Sequence, residues 1–124
     1  MSLKTNVYGL LTATQYCIPK MEAKGSGFVI VTGATASLRG MPFTSGFAPA
    51  KAAQRSLAQA IARQVWKKGV HLSLAIIDGQ VGEGEGKITP EGIAENYWNI
   101  QEQPKDCWTF ETHVMSHTSD MSIL

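Results

Sequence analysis

Val7, Leu10, Leu11, Thr14 and Ile18 recur at steps of three or four, so a helix is predicted from about residue 5 to residue 23, ended by Gly25-Ser26-Gly27. The pattern then changes. Phe28-Val29-Ile30-Val31 is an unbroken apolar run rich in β-branched residues, as expected of a strand buried on both faces of a parallel sheet. Small residues, Gly and Pro prevail from Thr32 to Gly46. Ser45 is placed to cap a second helix over about 47–68, whose apolar positions include Ala50, Ala53, Leu57, Ile61 and Val65 and which ends at Gly69. Val70 to Ile77 repeats the buried-strand pattern, so strand, helix and strand form a right-handed parallel crossover and an open α/β architecture follows. A Gly-rich acidic loop covers Asp78 to Lys87, Thr89-Pro90-Glu91 starts a helix reaching about Gln103, and Trp108 to Val114 is expected as a third strand. Residues 1–114 are read as one domain, followed by a loose tail over 115–124.

With 124 residues there is material for one modest core, and no internal repeat or linker divides it. At 44% hydrophobic and 17% charged residues the chain is too apolar for intrinsic disorder. A formal charge of +1, with no basic run longer than Lys67-Lys68, argues against nucleic acid or an anionic membrane as the main partner. No apolar run approaches the roughly 20 residues of a membrane span. Cys17 and Cys107 are expected as free thiols, and with no secretory signal the protein is placed in a reducing, cytoplasmic compartment.

Two stretches imitate phosphate-binding glycine motifs. In Gly82-Glu83-Gly84-Glu85-Gly86 the carboxylates of Glu83 and Glu85 would repel pyrophosphate, and Pro90 interrupts the region where a helix should already be running. After Thr32-Gly33 the later glycines are replaced by Ser37-Leu38-Arg39, so a plain strand-to-loop turn is the better reading. His113 and His117 are four apart, but their region reads as strand rather than helix, so no metal site is expected. The acidic residues form no carboxylate pair that can be placed on one face, and a solvated surface accounts for them.

The informative segments are Val29-Ile30-Val31-Thr32-Gly33-Ala34-Thr35-Ala36-Ser37-Leu38-Arg39-Gly40 and Phe47-Ala48-Pro49-Ala50-Lys51-Ala52-Ala53. Together they resemble the second half of a short-chain dehydrogenase/reductase, in which a strand ending in a catalytic serine precedes a helix carrying Tyr-x-x-x-Lys. Ala34 lies thirteen residues before Phe47, and Lys51 lies four after it, the intervals that family uses. The register fits, but both key chemical groups are missing. Asn6-Val7-Tyr8-Gly9 resembles the family segment whose asparagine completes a catalytic tetrad, which assigns that position to Asn6. Lys68-Gly69-Val70-His71-Leu72 resembles the usual Gly-Ile-Arg-Val segment, and Ile77-Asp78-Gly79 stands where the family has Pro-Gly, with Asp78 a departure. Val81 is then the nearest equivalent of the backbone contact to nicotinamide. Thr-Gly-Ala-Thr-Ala-Ser-Leu-Arg-Gly, Tyr97-Trp98, Gln103-Pro104 and Trp108-Thr109-Phe110-Glu111 are similar to one subgroup of dehydrogenase-like proteins, so the resemblance spans residues 4 to 114.

The resemblance implies the C-terminal part of a Rossmann-like, doubly wound parallel α/β sheet of about three strands with flanking helices. It implies NAD or NADP as cofactor and a small carbonyl or alcohol as substrate of a full-length parent. In that family Tyr transfers the substrate proton, Lys lowers its pKa and holds the cofactor ribose, Ser bonds the carbonyl oxygen and Asn fixes a water relay. The site residues so implied are Asn6, Ala34, Phe47 and Lys51 for catalysis, with Lys51 and Val81 for cofactor. Thr35 and Ser37 carry hydroxyls close to the Ala34 position, though out of register. The family's dinucleotide loop lies upstream of the matched region, so this chain alone is expected to be an inactive fragment that does not hold the cofactor usefully. The alternative is a non-enzymatic pseudo-dehydrogenase module that dimerises, with itself or with a full-length relative, through the two helices at 5–23 and 47–68. An apolar face carrying Leu57, Ile61 and Val65, with an uncovered edge at Phe28 to Val31, is expected to make the isolated chain self-associate.

Overall fold

The computed structural model describes residues 2–124 as three parallel strands with helices on both faces. Helix α1 (Gly9–Lys24) is preceded by a π-helical turn, Lys4–Tyr8, so the first helix is wider at its start than an even period of 3.6 suggests. Gly25, at φ 71°, ends α1 in the left-handed conformation, its N–H returning to the Glu22 carbonyl at 3.0 Å. Strand β1 (Gly27–Ala34) pairs with β2 (Val70–Asp78) from Gly27↔Val70 to Ala34↔Ile77, and β2 pairs with β3 (Glu111–Met115) from Leu74↔Glu111 to Asp78↔Met115.

Central strand β2 explains the unbroken apolar run, because every residue from Val70 to Ile77 is buried. Alternate side chains divide between two cores. Leu72, Leu74 and Ile76 face α1 and α2 (Phe47–Val65), where Ile18, Val31, Ala58, Ala62 and Val65 complete the larger cluster. Ala75 and Ile77 face α3 (Pro90–Gln101), in a smaller cluster with Ile88, Val114, Ile30, Ile93 and Tyr97. Each fully buried Leu or Ile contributes about 1.5–3 kcal/mol relative to exposure. Both crossovers step in the same direction across the sheet, yet α2 and α3 lie on opposite faces, so the two have opposite hands. The right-handed rule holds for one only. The long 79–89 loop gives the second connection the length to reach the other face.

Three local expectations are corrected. Ser45 does not cap α2: the N-cap is Gly46 without a side-chain bond, and the preceding turn is closed by Thr44, whose N–H and Oγ1 both donate to the Met41 carbonyl. The buried stripe of α2 is Ala50, Gln54, Ala58, Ala62 and Val65, small residues that let the helix approach the sheet; Val65 is buried rather than part of an exposed face, and Leu57 and Ile61 are half-buried. The third strand begins at Glu111 rather than Trp108, because the Thr109 backbone before it is taken by side chains: Gln103 accepts from the Thr109 N–H at 2.8 Å and His71 meets the Thr109 carbonyl at 2.8 Å. The Phe110 carbonyl already accepts the Leu74 N–H of β2 at 2.6 Å, with Ser73 Oγ a second donor at 2.9 Å. Thr89 caps α3 by accepting the Gly92 N–H at 3.1 Å, with Pro90 as the first helical residue. Past β3 the chain turns at Ser116–Ser119 and Met121–Leu124, and Ile123 rests against the larger core.

Candidate functional site

Open parallel sheets bind ligands beyond the carboxyl ends of their strands. There, a cavity of about 400 Å³ is lined by Ala34 at the end of β1, Thr35 in the turn that follows, Arg39, Phe47 at the start of α2, and Ile77 and Gly79 at the end of β2. Ala34 and Phe47, read from sequence as one site, are thus on one cavity. Phe47 is 42% exposed, so its ring edge faces solvent and not a packed interior.

One turn along α2, the Lys51 ammonium lies 5.7 Å from the Phe47 ring centroid. It donates to the Thr32 carbonyl at 3.1 Å and to Gln54 Oε1 at 3.3 Å, and burial pushes its pKa down from the usual lysine value. Gln54 Nε2 in turn donates to Asn6 Oδ1 at 3.5 Å, and Asn6 Nδ2 donates to the Ser2 carbonyl at 2.9 Å. A polar seam therefore runs from the π-helical turn through Gln54 to Lys51. Asn6 and Gln54 are both buried, which gives each link of the seam weight. Gln54 went unnoticed in the sequence; its only signal is a polar residue on the buried stripe of α2, three residues after Lys51.

Nearby hydroxyls are committed elsewhere. Thr35 Oγ1 donates to Asp78 Oδ1 at 2.6 Å, and Ser37 Oγ donates to the Ala34 carbonyl at 2.7 Å. Asp78 so ties the ends of β1 and β2 together. On the opposite face Tyr97 and Thr32 share a hydrogen bond of 2.8 Å between their hydroxyls, a link between α3 and the strand that also receives Lys51. Val81 stands apart from the Ala34–Phe47 cavity. It forms a bridge with Ile88 in which Gln80 and Gly82 make the hydrogen bonds, so the N–H and C=O of Val81 point away from the bridge. The Gly82–Gly86 segment closes on itself through Lys87 N–H to the Gly84 carbonyl at 3.2 Å, and α3 does not begin until Pro90.

Among the described residues no group of three or more His, Cys, Asp or Glu is arranged to hold a metal, and no helix is long and apolar enough to cross a membrane.

A family model described as short chain dehydrogenase matches residues 1–80. The human protein 17-beta-hydroxysteroid dehydrogenase type 1 is 39% identical over 72 residues, which are 58% of this chain and 22% of that protein. The crystal structure of a short-chain dehydrogenase from Rhodopseudomonas palustris superposes with a TM-score of 0.69 and 38% identity over 78% of this chain and 42% of that one. An alcohol dehydrogenase from the archaeon Thermococcus sibiricus, complexed with 5-hydroxy-NADP, gives a TM-score of 0.82 at 20% identity over 94% of this chain and 53% of that one, a likeness of fold. This chain thus spans between a fifth and about half of the length of these relatives.

Proposed function

The chain belongs to the short-chain dehydrogenase family, and from that premise we propose that it is the C-terminal, catalytic-helix part of an NAD(P)-dependent oxidoreductase for a small carbonyl or alcohol. The observation that carries this reading is the lysine one turn after Phe47, held at the end of β1 by Thr32 and linked through Gln54 to Asn6. Lys51 fits a cofactor ribose, since its ammonium keeps one free donor beyond those given to Thr32 and Gln54. The outward amide of Val81 fits a carboxamide. The acidic, self-closed Gly82–Gly86 loop does not fit a pyrophosphate, which needs glycine amides opening directly into a helix. Bound, the nicotinamide would supply hydride exchange with the substrate carbon. The part of this chain is to position it and to handle the substrate proton.

At that second task the chain is deficient. Phe47 occupies the position of the family tyrosine and has no proton to give, and Ala34 occupies that of the serine. Loss of a general acid costs about 10²–10⁴ in rate and loss of an oxyanion donor about 10²–10³, with the combined loss below the product. Thr35 and Ser37 do not compensate, because their protons go to Asp78 and to the Ala34 carbonyl.

A chimaera joining the upstream half of the Rhodopseudomonas palustris dehydrogenase to this chain tests the assignment. Calorimetry should show NADH or NADPH binding to the chimaera that weakens about tenfold on Lys51→Ala, about 1.4 kcal/mol. This chain by itself should show no dissociation constant below roughly 100 μM. Binding by the chimaera that is indifferent to Lys51, or tight binding by this chain alone, contradicts the reading. A second reading, a pseudo-dehydrogenase module that pairs with a full-length relative, is favoured by the exposed Leu3, Tyr8, Leu11 and Tyr16 along the first helix. Stable complex formation with such a relative and no nucleotide binding by the chimaera would select it.

A further inference from the structure

At the opposite end of the sheet from the Ala34–Phe47 cavity, three connections meet: α1 to β1 at Gly25, α2 to β2 at Trp66–Gly69, and α3 to β3 at Lys105–Trp108. They border an open depression of about 540 Å³, lined by Trp66 and Trp108, by Lys67, Lys68 and Lys105, and by Gly25 and Gly69. We propose that this depression is a second binding site, for a planar aromatic anion.

The aromatic walls are fixed. Trp66 and Trp108 meet edge to face, with centroids 5.3 Å apart and planes at 87°. Trp66 is oriented by its N–H, which donates to the Leu72 carbonyl at 2.9 Å. Trp108 is backed by His71, stacked 4.5 Å away at 3°. His71 is itself 3% exposed, packed edge-on against Phe28 and Trp66, and its Nε2–H donates to the Thr109 carbonyl at 2.8 Å. Burial holds its pKa below the usual histidine value, so at neutral pH it is an uncharged wall behind Trp108 and adds nothing to the cavity's charge. A ligand ring would lie on this fixed aromatic surface, at little cost in side-chain ordering.

The rim supplies the charge. Lys105 Nζ donates to the Gly25 carbonyl at 3.0 Å, which fixes its position and leaves its other protons available. Lys68 is partly neutralised by Glu22 at 2.9 Å, whereas Lys67 has no carboxylate within ion-pair distance among the described residues. The close packing of the floor is sequence-determined. Gly69, at φ 91°, sits so near the α1 turn that a Cβ there would overlap the Gly25 carbonyl. Three cations against one carboxylate beside two indole faces select for negative charge and for a flat π-system together, since ring stacking and ammonium attraction act on different parts of one ligand.

The test uses three probes followed by ¹H–¹⁵N spectra of the whole chain: 2-naphthoate, its uncharged counterpart 2-naphthamide, and inorganic phosphate. The indole resonances of Trp66 and Trp108 report the site, and that of Trp98, 64% exposed on α3 and outside the cavity, is the internal control. Naphthoate should shift the Trp66 and Trp108 signals at or below about 1 mM and leave Trp98 in place, with naphthamide and phosphate each at least about fivefold weaker. The pair Lys67→Gln and Lys105→Gln, both on the exposed rim, should weaken naphthoate about fivefold while leaving naphthamide unchanged. Equal binding of the charged and uncharged rings, phosphate binding as tightly as naphthoate, shifts that include Trp98, or no shift at all would each overturn the proposal.

Discussion

Replacing Gln54 by Leu probes the seam that joins the first helix to Lys51. Gln54 is 8% exposed and Asn6 9%, so water cannot readily replace a lost partner at either position. Leucine matches the volume closely but removes the donor to Asn6 Oδ1 and the acceptor of Lys51 Nζ. An unpartnered buried polar group costs about 1–3 kcal/mol. The bonds are long, at 3.5 and 3.3 Å, and Lys51 retains the Thr32 carbonyl, so the lower end applies. The added apolar side chain offsets part of that at about 25 cal/mol per Å² buried, leaving a net destabilisation of about 1 kcal/mol. Urea unfolding measures it, with an unchanged slope showing that native and unfolded ensembles remain comparable. The double variant Asn6→Leu, Gln54→Leu removes both ends of the bond, so its loss should fall short of the sum of the single losses by at least about 0.5 kcal/mol. Additive losses, or a Gln54→Leu protein more stable than the original, would refute the idea that the seam is a coupled unit.

Other consequences concern acid sensitivity and capping. His71 titrates below its ordinary value of 6.5 chiefly because it is buried, so the unfolded chain takes up its proton first; stability should be complete above about pH 6.5 and decline as the pH falls from there, and a melting series on His71→Phe should lack that decline. Glu111 is held below its ordinary 4.5 first by the hydrogen bond from Arg55, at 2.6 Å, and also by His113; its contribution is present above that pH and lost as the pH falls through the lowered value. Arg55→Gln should therefore cost about 1 kcal/mol at pH 7 and progressively less in acid, as read from denaturation midpoints. Thr89→Ala should destabilise by about 1 kcal/mol by leaving the Gly92 N–H without its cap, a loss that Thr89→Ser recovers in the same assay.

Strand β2 was legible because burial on both faces leaves a continuous apolar run; β1 was legible from the same kind of run, but as an edge strand it is only half-buried from Phe28 to Ile30, not buried on both faces as expected; α3 was legible because Thr89 and Pro90 mark its start in a way that needs no tertiary context. The start of β3 was not legible: Trp108 to Phe110 have strand-forming side chains, but Gln103 and His71 take the Thr109 N–H and carbonyl that a ladder would need. The π-helical turn at Lys4–Tyr8 leaves the apolar spacing nearly intact, so periodicity reads it as ordinary helix. For the candidate site, the intervals linking Ala34, Phe47 and Lys51 were readable as numbers along the chain. Gln54 was not, since a glutamine in a helix of small residues looks like surface until the sheet covers it. Trp66 and Trp108 lie in two different connections and His71 in β2, and the fold of the sheet brings the three rings into contact.

The central claim is that this chain carries part of a dehydrogenase site, with Phe47 and Ala34 in place of the acid and the oxyanion donor and with Lys51, Gln54 and Asn6 still linked beside them. It is tested most directly by restoring both groups, through Phe47→Tyr together with Ala34→Ser in the chimaera described above. Phe47 is 42% exposed, so the added hydroxyl reaches solvent and carries little desolvation cost, and the Lys51 ammonium one turn away lowers the pKa of the new phenol. NADPH-dependent reduction of a panel of aldehydes and ketones should rise by at least about 10²-fold. An unchanged rate, in a protein that still binds the nucleotide, would contradict the claim.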